Sequence, residues 1–230
     1  YTNPSLAKSI IRYVMKQTSF DGMIPDGSQG FGYISSDRYT YNLIQLEVLN
    51  VLAEYLRLTG DYAFLDEWIE IYPLERGEMQ SVKSIIESYF IYLSDRSFVS
   101  PSMSSMQAAI LPRFADQMEK SGKLSAEFLS ALKAYTEKSV EEFNSRTDYN
   151  LSDLPYLLDA GTLTDSHKRD LLDRATEAGA IDMRAVPGLV SFDVMEANSL
   201  FRDLILKNRD SKDPDIMDSW TIYSYFRIHE

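Results

Sequence analysis

Residues 40–58 constrain the fold more than any other stretch of this chain. The polar positions Glu47, Asn50, Glu54 and Arg57 form one narrow stripe at helical spacing. Nearly everything around them is apolar, from Leu43 and Ile44 through Leu49 and Leu52 to Leu56. A helix that is apolar around most of its circumference sits between other helices rather than on a surface. The segment is therefore expected to be the most buried long helix, over about 42–58. It ends at Thr59-Gly60-Asp61, where Gly60 stands in the position that a left-handed C-cap requires.

The same periodicity recurs along the chain. Residues 4–18 place Leu6, Ile10, Tyr13 and Val14 on one face, with Pro4 suited to a first helical turn. A short helix is predicted over about 62–71, stopped by Pro73, and longer ones over 76–93 and 103–120, the latter kinked by Pro112. Ser125 reads as the N-cap of a helix over 125–143. A short helix at 153–160 ends at Gly161. Thr164 and Gly179 bracket another over 165–178. Helices over about 194–208 and 216–227 close the chain, the last with Ile216, Trp220, Tyr223 and Phe226 on one face. Leu189 to Val194 is the single candidate strand. Short linkers, no low-complexity tract and no fixed-period repeat predict one all-α domain over 1–230, built from antiparallel helix pairs.

Composition removes several function classes. The 230 residues can bury roughly 70% of their unfolded-chain surface, enough for a true core. Asp and Glu number 35 against 23 Lys and Arg, so the net charge is 23 − 35 = −12 and a phosphate backbone is repelled. No nucleic-acid partner is expected. Cysteine is absent, which excludes disulfides and thiolate metal sites, and two histidines cannot build a zinc site alone. No apolar run is long enough to span a bilayer, so no membrane partner is expected. No signal-peptide pattern follows Tyr1, and the expected compartment is the cytoplasm. The lack of a start Met implies a chain that begins inside a longer reading frame.

Cofactor signatures are also missing. Gly30-Phe31-Gly32 lacks the third glycine of a dinucleotide fingerprint and follows no strand. Asp210, Asp213, Asp215 and Asp218 lack the Gly and terminal Glu of a calcium loop. Neither a metal nor a cofactor is expected. The informative stretch is the connection from Gly22-Met23-Ile24-Pro25 through Tyr33 to Asp37-Arg38-Tyr39-Thr40-Tyr41. It gathers aromatics, a carboxylate and a guanidinium, the groups that stack on sugar faces and hydrogen-bond sugar hydroxyls. The alternative is that these aromatics only pin the loop to the helix ends.

The run Asp21-Gly22-Met23-Ile24-Pro25, the buried helix after it, and Tyr55-Leu56-Arg57-Leu58-Thr59-Gly60-Asp61 followed by Phe64-Leu65 together resemble the (α/α)6-toroid carbohydrate enzymes. These include glycogen-debranching glucosidases, glucoamylase-like enzymes, cellobiose phosphorylases and rhamnosidases. A looser similarity runs through 103–144. The resemblance implies a partial or complete toroid and an oligosaccharide or small carbohydrate as ligand. It also implies hydrolysis with inversion, by two carboxyl groups roughly 6.5–9.5 Å apart. On that basis Asp37 and Glu196 are the candidate catalytic acids, and Tyr33, Arg38 and Tyr39 the candidate substrate contacts. For both acids the alternative is an ordinary helix N-terminal carboxylate.

The sequence departs from that family where catalysis would sit. Asn42-Leu43-Ile44 stands where an acid commonly opens the inner helix, and Ser-rich 100–105 where a glutamate opens a later one. A glycoside hydrolase-like enzyme is thus one reading; a non-catalytic helical sugar-binding or protein-interaction module is the other.

Overall fold

The computed structural model describes residues 3–19, 22–24, 28–29, 33–34, 43–72, 77–94, 101–146, 149–161, 163–179, 181–183, 185–190 and 193–208. Helix α1 (Pro4–Met15) leads through a two-stranded antiparallel pair, β1 (Ser28–Gln29) and β2 (Tyr33–Ile34), to α2 (Leu43–Thr59). A 3-10 turn over Tyr62–Asp66 precedes a second antiparallel pair, β3 (Trp68–Glu70) and β4 (Met79–Ser81), with Ile69 opposite Gln80. Then follow α3 (Val82–Ser94), α4 (Pro101–Ser121), α5 (Ala126–Asn144), a 3-10 turn at Leu151–Asp153, α6 (Leu154–Asp159), α7 (Asp165–Glu177), α8 (Ala185–Val190) and α9 (Val194–Asn208).

Local chemistry sets these boundaries. Asn3, Ser125 and Thr164 each accept a backbone N–H three residues on, at 3.0, 3.1 and 3.4 Å, satisfying donors that the first helical turn leaves unpaired. Gly60, at φ 66°, takes the left-handed conformation that ends α2.

The even-numbered helices form an inner row. α2 lies against α4, α4 against α6 and α6 against α8, while α1, α5, α7 and α9 each pack on an even neighbour and α3 on both α2 and α5. Three of them, α2, α4 and α6, run in one direction. Asn150, just before α6, reaches Ser102 at the start of α4, and Asp159 at the end of α6 reaches Arg113 further along it. Asn50 in mid-α2 meets Arg113, and Tyr62 just past α2 meets Gln117. Among the described residues no helix is long and apolar enough to cross a membrane.

Asp61 locks the first helix pair together. Its carboxylate accepts the Lys8 ammonium of α1 at 2.8 Å and the Tyr55 hydroxyl of α2 at 2.7 Å. Lys8 also pairs with Glu67 and lies 4.8 Å from the centre of the Phe64 ring, while Arg12 pairs with Glu67. Thr59 ties the turn down, accepting the Asp61 N–H at 3.2 Å and donating to the Tyr55 carbonyl. Phe64 and Leu65 are fully buried beneath this joint. The Thr-Gly-Asp and Phe-Leu residues of the family-like pattern are therefore structural members.

Four sequence expectations are corrected. On α1, Ile11 and Met15 face the core with Ala7 and Val14 beside them, whereas Leu6, Ile10 and Tyr13 are exposed. The helix carries two apolar stripes, and spacing alone does not say which one a neighbour covers. Residues 62–71 form a 3-10 turn and a strand rather than one helix. The candidate strand at 189–194 is overturned: Leu189 and Val190 close α8, and Val194 opens α9. Finally, α4 is buried at every position from Met103 to Leu111, more completely than α2. Ser104, Ser105, Ala108 and Ala109 let α2, α5 and α6 approach it closely, a use of serine that hydropathy does not register. Helix α4 also passes through Pro112 without interruption. The predicted helix over 216–227 lies outside the described residues.

Two outcomes test this packing. Leu52 is fully buried on α2, so Leu52→Ala should cost about 2–5 kcal/mol in denaturant unfolding. The Asp61 carboxyl is held below the usual carboxylate range, first by the Lys8 hydrogen bond and also by Tyr55, against the opposing pull of burial. A depressed folded value stabilises the fold above the unfolded value near about 3.9 and loses that contribution as pH falls through the folded value. Asp61→Asn should therefore lower stability at neutral pH and flatten the acid limb of a stability-versus-pH curve.

Candidate functional site

The polar stripe of α2 lies along the inner row. Spacings of three, four and three put Glu47, Asn50, Glu54 and Arg57 on one helical face. Helix α4 offers Arg113, Asp116, Gln117 and Lys120 at the same period, and α6 contributes Tyr156 and Asp159. The three helices meet in a polar seam. At one end the Tyr156 hydroxyl donates to the Glu47 carboxylate. In the middle Arg113 donates to the Asn50 side-chain oxygen Oδ1 at 3.2 Å and pairs with Asp159 at 2.5 Å. At the far end Arg57 holds Glu54 through two hydrogen bonds of 2.9 and 2.7 Å, and Lys120 holds Asp116 at 2.7 Å. Gln117 donates to Asp116 at 3.0 Å and accepts the Tyr62 hydroxyl at 3.1 Å.

Between α2 and α4 the seam opens into a cleft of about 80 Å³, lined by Ala53 and six polar side chains: Asn50, Glu54, Arg57, Arg113, Asp116 and Gln117. Ligand-enclosing sites usually run to about 300–1,000 Å³, so this one can grip an edge of a ligand but not surround it. Its amides and guanidiniums donate, and its carboxylates accept. Each cleft carboxylate is paired with a cation, Glu54 with Arg57 and Asp116 with Lys120. Behind the seam, Lys168 of α7 is buried, and burial pushes its ammonium down against the opposing fields of Asp159 and Asp165.

One sequence-derived candidate, Glu196, falls elsewhere. Glu196 lies in the first turn of α9, where its carboxylate pairs with Arg169 of α7. Asp193 shares Arg169 at 3.0 Å and accepts the Glu196 backbone N–H at 2.9 Å, acting as a capping group for α9. That is a cross-link between two helices. The backbone of Tyr33 pairs with Gln29 in the β1–β2 ladder. The Tyr33 side chain, and Asp37, Arg38 and Tyr39 altogether, lie outside the described residues.

The described part of the Gly22-Met23-Ile24 motif is a joint. Ser19 and Met23 close a tight turn, Gln45 of α2 donates to the Gly22 carbonyl at 3.2 Å, and Ile24 is buried. Gly22 sits at φ 82°, and a Cβ there would stand 2.4 Å from the Ser88 carbonyl oxygen of α3. Only glycine meets both conditions. Nearby, Thr18 and Tyr89 share a buried 2.6 Å hydrogen bond.

The seam itself was visible in part. The α2 stripe is plain in the sequence, where it reads as the exposed edge of a buried helix. Its partners Arg113, Asp116, Gln117 and Lys120 also recur at helical spacing. Nothing in one sequence states that the two stripes face each other. If the Gly22 motif is a joint, Gly22→Ala should destabilise the fold by more than about 2 kcal/mol, from left-handed strain together with the clash on α3. Urea unfolding of the variant measures this, and a neutral result would mean the motif serves something other than packing.

Compared with protein-family models, curated proteins and solved structures, the chain matches none.

Proposed function

We propose that this chain is a non-catalytic helical binding module of (α/α)-toroid type, which holds an oligosaccharide along the seam of α2, α4 and α6. What supports the binding role is the convergence of Asn50, Gln117, Arg57 and Arg113 on one cleft, with carboxylate acceptors between them. Sugar hydroxyls both donate and accept, and a mixed row of amides, guanidiniums and carboxylates serves both needs. What supports a non-catalytic role is the pairing of every seam carboxylate with a cation or a hydroxyl. Inverting hydrolysis needs one protonated carboxyl group and one free base across the scissile bond. Glu196, committed to Arg169, offers neither. The toroid itself is supported by the shared direction of α2, α4 and α6 and by their outer partners, the arrangement that a ring of helix pairs would extend.

Titration calorimetry with α-glucans, cellodextrins and rhamnose-containing oligosaccharides tests the proposal. Asn50→Ala and Gln117→Ala should each weaken binding about 3–10-fold, the worth of one neutral hydrogen bond. No product release is expected in the same mixtures. Binding by no member of the panel would sink the proposal. Turnover abolished by Asp37→Asn would replace it with the hydrolase reading.

A further inference from the structure

The charges around the cleft between α2 and α4 are matched one for one. Arg57 holds Glu54, Lys120 holds Asp116, and Arg113 of α4 holds Asp159 at the end of α6. The cleft is therefore locally neutral within a chain whose net charge is −12. Arg113 is held from two helices: one guanidinium nitrogen lies 2.5 Å from the Asp159 carboxylate, and the other donates to Asn50 Oδ1 at 3.2 Å. Arg113 lines the cleft, whereas Asp159 is not among the residues that line it.

A carboxylate on a ligand would have to take Arg113 from Asp159 or Arg57 from Glu54. Either exchange leaves a protein acid without its cation, beside a second negative charge. The field of the whole chain adds to that cost, because an anion approaches a protein of its own sign. A hydroxyl meets neither obstacle. It can donate to a carboxylate lone pair or accept from the Asn50 amide while each ion pair stays closed. Among the described residues that line the cleft, Ala53 alone is apolar and none is aromatic, so the cleft grips hydroxyls rather than the face of a ring. Resting on the binding role proposed for the seam, we infer that the cleft selects neutral saccharides over their uronic acid counterparts, and that Asp159 and Glu54 set this preference by holding Arg113 and Arg57. Asp159 acts through Arg113 and is a positioning residue.

Calorimetry with matched ligands tests the inference: maltotetraose and cellotetraose, each against the same oligosaccharide with its primary alcohols oxidised to carboxylates. The wild type should bind the neutral member at least about 10-fold more tightly. Asp159→Asn releases the Arg113 guanidinium and should shrink that ratio at least about 5-fold, whereas Asp159→Glu keeps the charge and should keep the ratio. A purely structural loss would weaken both members alike and leave the ratio where it was. Asp159 also supports the buried Lys168 ammonium through its charge, so folding of each variant is checked by circular dichroism. Glu54→Gln carries the same test at an exposed pair, because it removes the carboxylate that holds Arg57 through two hydrogen bonds, and the ratio should shrink likewise. Uronates bound by the wild type as tightly as their neutral partners overturn the inference and leave the binding role standing. A ratio indifferent to both substitutions overturns it too. Binding of neither ligand type removes the binding role itself, and the inference with it.

Discussion

The carboxylate of Asp61 is the constraint on which the first third of the structure depends. It stands one residue past the glycine that ends α2, and from there it holds Lys8 of α1 and the hydroxyl of Tyr55. The direction in which the chain leaves α2 and the placement of α1 against α2 are thus decided by one side chain. A partly buried carboxylate with two donors is worth more than a surface pair, because losing either donor leaves the remaining groups to be desolvated unpaired. Glu67 carries the same lock one turn further, through Lys8 and Arg12. The aromatic edge contact of Tyr55 with Phe64, at 5.7 Å, fills the space beneath.

That joint has a consequence for the distant seam. Once α2 is fixed with Leu46, Leu49, Leu52 and Leu56 inward, its polar stripe is left along the row toward α4 and α6. Buried cores tolerate few charges, so stripes that meet between packed helices must pair. Arg113 does this for two helices at once, reaching Asn50 and Asp159. The resulting surface is rich in committed charge and poor in free acid.

The pattern Gly-Met-Ile followed by Thr-Gly-Asp and Phe-Leu has a structural duty at each described position. Gly22 is required by its left-handed backbone and by the Ser88 carbonyl pressed against it. Thr59, Gly60 and Asp61 turn the chain and lock α1, and Phe64 and Leu65 fill the core. These are demands of two helices joined by a turn, and any chain solving the same packing problem meets them whatever it binds.

The amino-acid sequence by itself determined what depends on neighbours a few residues away. Ser125 and Thr164 cap their helices and Gly60 ends α2 because those hydrogen bonds and that backbone angle are local. The helical periods of α2, α5, α7 and α9 were legible for the same reason. Only the tertiary structure decided which of the two apolar stripes of α1 is buried, since Ile11 and Met15 win over Ile10 and Tyr13 through contacts made by other elements. It alone enclosed α4, with its serines and alanines, more completely than α2, because small side chains favour close approach only when something approaches. It also brought Glu196 together with Arg169, 27 residues before it. Pairing across such separations is set by where helices pack, and the period of a stripe carries no record of the stripe it will face.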